Sequence, residues 1–244
     1  MEKKPITPYQ DTSRGKKEQV TEMFDSVSKK YDLLNRVISL GIDQSWRKKV
    51  VGFMDETAPK ALLDIATGTG DLAIALKATT AEKIIGLDIS PGMLSIGKDK
   101  VTANGLDHCI EMILGDSEDL PFTANSFDGV TVAFGVRNFE NLEKGLGEIF
   151  RVLRPKGRLV ILETAVPTRF PFKQGYRLYS GWIVPLIGKL FSKDKSAYQY
   201  LSDTAAAFPH GEVFNNILRK IGFIKVEDHP QTLGVASIYC ATKP

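Results

Sequence analysis

Four acidic residues and a pair of glycines are spaced as the edge of a nucleotide-binding sheet needs them. Asp64 stands near the end of the apolar run Ala61–Ile65, Gly68-Thr69-Gly70 follows, and Asp71 opens the next segment. Glycines there let the backbone approach a ligand closely at the carboxyl end of a strand. Asp88 closes the second apolar run, roughly 20 residues past Gly68, where a carboxylate accepts hydrogen bonds from both ribose hydroxyls. Up to this point a nicotinamide dinucleotide and S-adenosylmethionine fit equally. Three features separate them. Asp64 beside the turn suits the ammonium of a methionine moiety, directly or through water, and repels a diphosphate. Asp71 adds a negative charge at a helix start, where the dipole would otherwise be free for a phosphate. Gly115-Asp116-Ser117 follows the third run, and Asp116 offers an acceptor to the adenine amino group.

Taken in order, these features resemble the class I methyltransferases, with S-adenosylmethionine as cofactor. The sulfonium methyl is already a good electrophile, so the protein has to hold a nucleophile in line with it and exclude water. Residues that select the acceptor are expected after the fourth apolar run, in Ala133-Phe134-Gly135-Val136-Arg137-Asn138. The Asn/Asp-Pro-Pro-aromatic motif of amino-directed nucleic-acid methyltransferases is missing there, which argues against a nucleic-acid partner. His108 and His229 have no companions at metal-ligand spacing, so no metal site is expected. His210, after Pro209, reads as a helix-terminal residue in preference to a base. Cys109 and Cys240 form no CxxC pair, which argues against thiol redox chemistry and suits a reducing cytosol.

Positioning these residues takes alternating strands and helices. Strands are expected at Ala61–Ile65, Lys83–Leu87, Ile110–Leu114, Phe127–Ala133 and Arg158–Leu162, the last after a Pro155-Lys156-Gly157 turn. Helices are expected at Asp71–Ala78, Met93–Val101 and Leu142–Leu153 between them, and at Glu212–Ile221 near the C-terminus. Phe223–Glu227 and Val235–Ala241 read as an antiparallel pair. The fold class is therefore α/β, a mostly parallel Rossmann-like sheet with helices on both faces. Residues 1–15 are expected as a loose arm, and 16–244 as one domain. Within it, 16–57 hold two or three helices, and 166–205 form a helical insert.

Length and charge bound the rest. The 244 residues are 43% hydrophobic and 25% charged, with a net charge of +3, which fits a globular chain and not a general nucleic-acid binder. No apolar segment follows Met1-Glu2-Lys3-Lys4, so no secretory signal is expected. The run Leu178–Gly188 is too short to span a bilayer. Residues 166–200 are both aromatic and basic: six Lys and Arg against Asp194 give that stretch +5. Such an insert serves either as a lid or membrane-surface patch, or as packed helices with a solvated basic face.

Two longer patterns are more specific than the glycine turn. Tyr31-Asp32-Leu33-Leu34-Asn35-Arg36-Val37-Ile38-Ser39, with Gly41 and Trp46, and Arg151-Val152-Leu153-Arg154-Pro155-Lys156-Gly157-Arg158-Leu159, running to Glu163, resemble the signatures of the ubiquinone/menaquinone biosynthesis C-methyltransferases. Asp116–Phe122 and Phe134–Asn138 match as well, and the resemblance runs from about Lys16 to the C-terminus. Leu34, Asp43, Ala133 and Lys156 depart from the usual residues, and Asp43 removes a histidine often found there. The resemblance implies methylation of a ring carbon of a polyprenylated hydroquinone: demethylmenaquinol to menaquinol, or a benzoquinol of ubiquinone biosynthesis. It also implies that Thr69, Asp88, Asp116 and Ser117 contact the cofactor. A hydroquinol carbon becomes nucleophilic when the adjacent hydroxyl loses its proton; Arg137 and Asn138 are the candidates to position a water and stabilise the phenolate. Phe134 and Tyr31 are the candidates to bind the substrate, although Tyr31, at helical spacing with Phe24, Val27 and Leu34, suits a core equally. A membrane-borne substrate implies a cytoplasmic protein that meets the inner, anionic face of the membrane. The oligomeric state stays open between monomer and homodimer.

Overall fold

The computed structural model describes residues 6–167, 170–178 and 195–244, apart from the side chains of 176–178, 195 and 198. Strands β1 (Ala61–Ile65), β2 (Lys83–Asp88), β3 (Ile110–Leu114), β4 (Phe127–Ala133) and β5 (Leu153–Thr164) run parallel. β7 (Ala236–Thr242) lies antiparallel between β5 and β6 (Ile224–Gln231), giving the order β3-β2-β1-β4-β5-β7-β6. The expected α/β class is borne out. Alternate residues feed two aliphatic layers, as a parallel sheet covered on both faces requires. Leu63, Ile65, Val130, Ile161 and Tyr239 face α5 (Leu142–Val152) and α8 (Glu212–Ile221). Leu62, Ile84, Val160 and Ile238 face α2 (Asp43–Asp55), α3 (Asp71–Ala75) and α4 (Pro91–Ala103). Each fully buried Leu or Ile contributes about 1.5–3 kcal/mol.

Local chemistry sets the element ends. The Ser90 hydroxyl accepts the Met93 N–H at 3.1 Å and Pro91 takes the first helical position, so α4 starts two residues before the apolar pattern does. The segment expected as one helix over 71–78 is α3 followed by a 3₁₀ turn, Leu76–Ala78. The Pro155-Lys156-Gly157 turn lies inside β5, not before it. Lys156 N–H donates to the Lys243 carbonyl and Lys243 N–H to Gly157, so pairing with the C-terminal residues continues through the kink. Pairing with β4 breaks there, between Phe127↔Leu153 and Gly129↔Arg158.

The N-terminal region forms two helices, α1 (Lys16–Ile38) and α2. Residues before α1 fold back on it: the buried Gln19 side chain accepts from Tyr9 N–H and donates to the Asp11 and Arg14 carbonyls. α1 packs on α4 and on α7 (Lys195–Ala207), through Val20, Met23, Val27, Met93, Ala197 and Tyr200. Gly92 permits that approach, since a Cβ there would lie 2.8 Å from Asp25 Oδ1. From the insert, α6 (Phe172–Leu178) and α7 are described. Arg169, Tyr179, Trp182, Lys189, Phe191 and Lys193 lie outside the described residues.

Candidate active site

β1 and β4 are neighbours whose chains leave in opposite directions, toward β2 and β5 respectively. The crevice at their carboxyl ends is the place where open α/β sheets hold ligands. A cleft opens there, lined by Ala66 and Gly68 after β1, Asp88, Asp116, and Phe134 with Asn138 after β4. Lys17, Phe24 and Tyr31 of α1 close one side. Ala66 (φ +52°) and Phe134 (φ +57°) hold left-handed backbone, which costs a side-chain-bearing residue about 1–2 kcal/mol. Gly135 lets the two turns touch: a Cβ on it would come within 2.5 Å of Ala66 Cβ. Strained backbone on both central strands, facing one cleft, marks a site where geometry outweighs stability.

On the β2 side, Asp88 accepts the Gly68 and Ser90 N–H groups, each at 2.8 Å. Burial pushes its carboxyl above the usual range, against the downward pull of those donors. A carboxylate offers about four acceptor positions, so Asp88 keeps acceptor capacity beyond its backbone donors, which is what a ribose hydroxyl would need. Asp88→Ala is expected to weaken S-adenosylmethionine binding by about 1.5–3 kcal/mol, the loss of charged hydrogen bonds. Calorimetric titration measures this directly, and an unchanged dissociation constant would mean another residue holds the ribose.

Asp64 sits one layer behind the cleft and does not line it. It is 1% exposed, and its two oxygens accept the Thr67 and Thr131 hydroxyls, each at 2.6 Å. Burial pushes its pKa up to about 6, outweighing both hydroxyls. A carboxyl raised in the folded state stabilises the fold when protonated; that contribution is full below about pH 4 and is lost as the pH rises through about 6. Asp64→Asn keeps the shape and removes the titration. Its stability relative to wild type should therefore rise between pH 4 and 7, by on the order of 2 kcal/mol. Denaturant melts at pH 4.5 and 7 test this; parallel profiles for the two proteins would refute it.

Thr69 turns away from the cleft, donating to Asp32 Oδ1 and accepting from Lys100. Lys100 also pairs with Asp32 and Asp71, which ties α1, α3 and α4 together behind the turn. Gly70 (φ +80°) packs on Met112. Ser117 lines the cleft beside Asp116, whose Oδ2 pairs with Lys17 and whose Oδ1 accepts Glu118 N–H. Among the described lining residues Lys17 is the one Lys or Arg, and it is already paired; this setting fits a cationic cofactor better than a diphosphate.

Across the cleft, the Phe134 ring is flanked by Trp46 at 6.2 Å, with the Arg47 and Arg137 guanidinium groups about 6 Å away. Arg137 does not line the cleft; it pairs with Glu163, which is fully buried at the end of β5. Burial opposes the charge on Arg137, and Glu163 more than offsets that, so its pKa moves up. Asn138 does line the cleft and reaches the Phe134 carbonyl at 3.4 Å. Arg47 Nε, Arg137 Nε, Asn138 Oδ1, Glu163 Oε2 and the Tyr200 hydroxyl are buried without hydrogen-bond partners among the described residues. Such groups are rare in folded proteins, and each costs about 1–3 kcal/mol. Arg47, Arg137 and Asn138 adjoin the Phe134 ring and Glu163 pairs with Arg137, so this polar cluster sits against the cleft at the place where a flat, polar ligand or its water would lie. Burial also pushes the Tyr31 phenol up, and Asn35 hydrogen-bonds it.

Lys16, Lys17, Tyr200 and Glu163 are parts of the site that residue types alone do not reveal. Lys16 Nζ donates to the Arg137 and Phe139 carbonyls, fastening the catalytic-side loop to α1. Glu163 carried one legible signal, an acid ending an apolar strand at its carboxyl end. Tyr200 carried none.

Known proteins match this whole arrangement. The sequence model of the ubiE/COQ5 methyltransferase family covers residues 12–243. A demethylmenaquinone methyltransferase of Bacteroides fragilis is 48% identical, over 98% of this chain and 97% of its own length. The ubiquinone/menaquinone biosynthesis C-methyltransferase UbiE of Geotalea daltonii is 43% identical, over 95% and 98%. Among solved structures, a SAM-dependent methyltransferase of Thermotoga maritima, described as a possible histamine N-methyltransferase, superposes with a TM-score of 0.66. It shares 18% identity and covers 92% of this chain and 99% of its own, a likeness of fold. Because the family match runs unbroken through the glycine turn, Asp88, Asp116 and the Phe134–Asn138 loop, the chain belongs to the ubiE/COQ5 methyltransferase family.

Proposed function

We propose that this protein transfers a methyl group from S-adenosylmethionine to the ring carbon of demethylmenaquinol that neighbours the prenyl-bearing carbon, giving menaquinol. The observation that carries the reading is the buried, unpartnered Asn138 Oδ1 in the cleft beside Phe134, with the Arg137 guanidinium about 6 Å from that ring and Asp88 and Asp116 lining the same cleft. A hydroquinone is flat enough to lie on Phe134 and carries hydroxyls to engage Asn138, with the Arg137 charge acting from about 6 Å beyond the ring. Relatives sharing nearly half the sequence bear the name demethylmenaquinone methyltransferase, which favours the naphthoquinol over the benzoquinol.

The bound cofactor supplies an electrophilic methyl group that needs no further activation. Asp88 holds the ribose and Gly68 lets the backbone come close. Asp64 keeps negative charge near the ammonium, and Asp116 with Ser117 holds the adenine. Thr69 and Gly70 shape the turn. Asn138 Oδ1 accepts a hydrogen bond from the water that takes the proton of the quinol hydroxyl. The Arg137 charge stabilises the resulting phenolate, whose negative charge raises electron density at the ring carbon. Once that carbon is methylated its hydrogen leaves as a proton to water and the ring oxygen is reprotonated, which restores the hydroquinone. Tyr31 covers the ring from α1 and excludes water. Radiolabelled methyl transfer to reduced demethylmenaquinone and to the demethylated ubiquinol precursor tests the reading. Label should enter the naphthoquinol, and transfer to the benzoquinol alone would refute it.

The same reading places the protein against the anionic membrane face. Among the described residues no helix is long and apolar enough to cross a membrane. Phe170 is 80% exposed and Phe172 41%, within the +5 stretch of the sequence. Basic side chains near anionic headgroups contribute about 1 kcal/mol each. Flotation should therefore occur with anionic and not neutral liposomes and weaken when Lys173 and Arg177 become Ala. Equal flotation with both lipids would count against it.

A further inference from the structure

Leu40 is 76% exposed and Leu233 65%, the highest values among the described leucines. Both stand in left-handed backbone (φ +52° and +61°), a conformation that asparagine or glycine adopts at far less cost than leucine. Neither belongs to a core cluster, so the fold gains nothing from an apolar side chain at either turn. Backbone strain and exposed apolar surface at one position mark a place that meets something apolar outside the protein.

The two turns come together at the cleft edge of the sheet. β6 runs in the same direction as β5, because both are antiparallel to β7. The 3₁₀ turn Thr232–Gly234 that ends β6 therefore lies at the carboxyl edge. α2 runs against β6: Phe53 stacks on His229 at 4.6 Å, Lys49 donates to Gln231 at 2.6 Å, and Trp46 donates to Thr232 at 2.9 Å. Each step toward the start of α2 is thus a step toward Leu233, and the α1–α2 corner, Leu40-Gly41-Ile42, comes to the same edge. Ile42 is exposed as well. Trp46 also touches the Phe134 ring, so these apolar tips stand just outside the acceptor end of the cleft.

Charge around the corner selects the partner. Six Lys and Arg against Asp32 and Asp43 give residues 29–49 a net +4. Lys29, Lys30, Arg36, Lys48 and Lys49 are exposed, whereas Asp43 is buried and pairs with Arg47. A second copy of this chain docking symmetrically would set that charge against itself, since a two-fold interface brings the same patch together. Apolar tips among cations fit an anionic bilayer, where leucines enter the acyl boundary and lysines meet the headgroups.

We infer that the α1–α2 corner and the Thr232–Gly234 turn form a membrane anchor, in which Leu40, Ile42 and Leu233 dip into an anionic bilayer and turn the acceptor end of the cleft toward it. The inference rests on the quinol reading above, which supplies a membrane-borne acceptor. Its residues lie outside the aromatic, basic insert, so the anchor and the insert are tested separately.

Leu40→Asn combined with Leu233→Asn removes the apolar tips, keeps the charge and suits the left-handed backbone, so the full-length variant should melt as the wild type does. On vesicles of equal parts phosphatidylglycerol and phosphatidylcholine, its partition coefficient should fall at least about tenfold. Ile224→Asn, exposed at the opposite end of β6, should change it less than about twofold. A double variant that binds these vesicles as the wild type does would overturn the inference. So would one whose sedimentation mass alone changes, which would give the surface to a second copy. An environment-sensitive dye on Leu40→Cys should shift to the blue when the vesicles are added, the two native cysteines being buried; an unshifted dye would also overturn it. Methyl transfer to a vesicle-borne demethylmenaquinol should fall about tenfold in the double variant, and transfer to a water-dispersed single-prenyl acceptor less than about twofold. A wild type whose vesicle binding depends on the two leucines, yet which methylates neither acceptor, would support the anchor and refute the quinol reading.

Discussion

Arg137→Met is expected to lower unfolding stability by about 3–5 kcal/mol, because it leaves the Glu163 carboxylate buried without its partner. Glu163 is wholly enclosed at the end of β5, and among the described residues Arg137 is the one cation its side chain pairs with. Domains have about 5–15 kcal/mol in all, so the single variant loses at least about a fifth of the total. The double variant, Arg137→Met with Glu163→Leu, should recover most of that loss, since apolar groups of similar volume replace a buried pair at little cost. It should not recover methyl transfer. Without the guanidinium the phenolate loses its stabilising charge, an effect of about 10²–10³ in kcat. Urea melts and single-turnover rates on the two variants separate the roles. A stable and fully active double variant would reduce Arg137 to a structural residue.

Asn138→Leu should act with the opposite signature. Asn138 Oδ1 is buried with no partner, and its amide makes one long contact to the Phe134 carbonyl. Removing an unsatisfied acceptor leaves stability unchanged or slightly raised. Turnover should nevertheless fall by about 10²–10⁴, the usual range for a group that manages a proton in the transition state. S-adenosylmethionine affinity should stay as in the wild type, because the residues proposed to bind it, Asp88 and Gly68, are untouched. Asn138→Asp keeps an acceptor and should recover part of the rate. A leucine variant that is stable, binds cofactor and turns over normally would remove Asn138 from the mechanism.

The chain's linear pattern determined a large share of this. Apolar runs closed by Asp64, Asp88 and the Gly115-Asp116 turn located the strands and the acidic edge, because strand ends and glycine turns are local properties. What a side chain faces is not local. Gly68 and Thr69 are adjacent, yet one lines the cleft and the other turns to Asp32 and Lys100. Arg137 and Asn138 share a 3₁₀ turn, where successive side chains diverge by about 120°, so one joins Glu163 and the other enters the cleft. Pairs such as Lys17 with Asp116 or Arg137 with Glu163 span 99 and 26 residues, and no periodicity encodes them. Local spacing therefore settled which chemistry the chain can carry. The order of β1 and β4 in the sheet, and α1 lying across them, decided which of those residues meet, since only close packing brings distant segments within reach of one ligand.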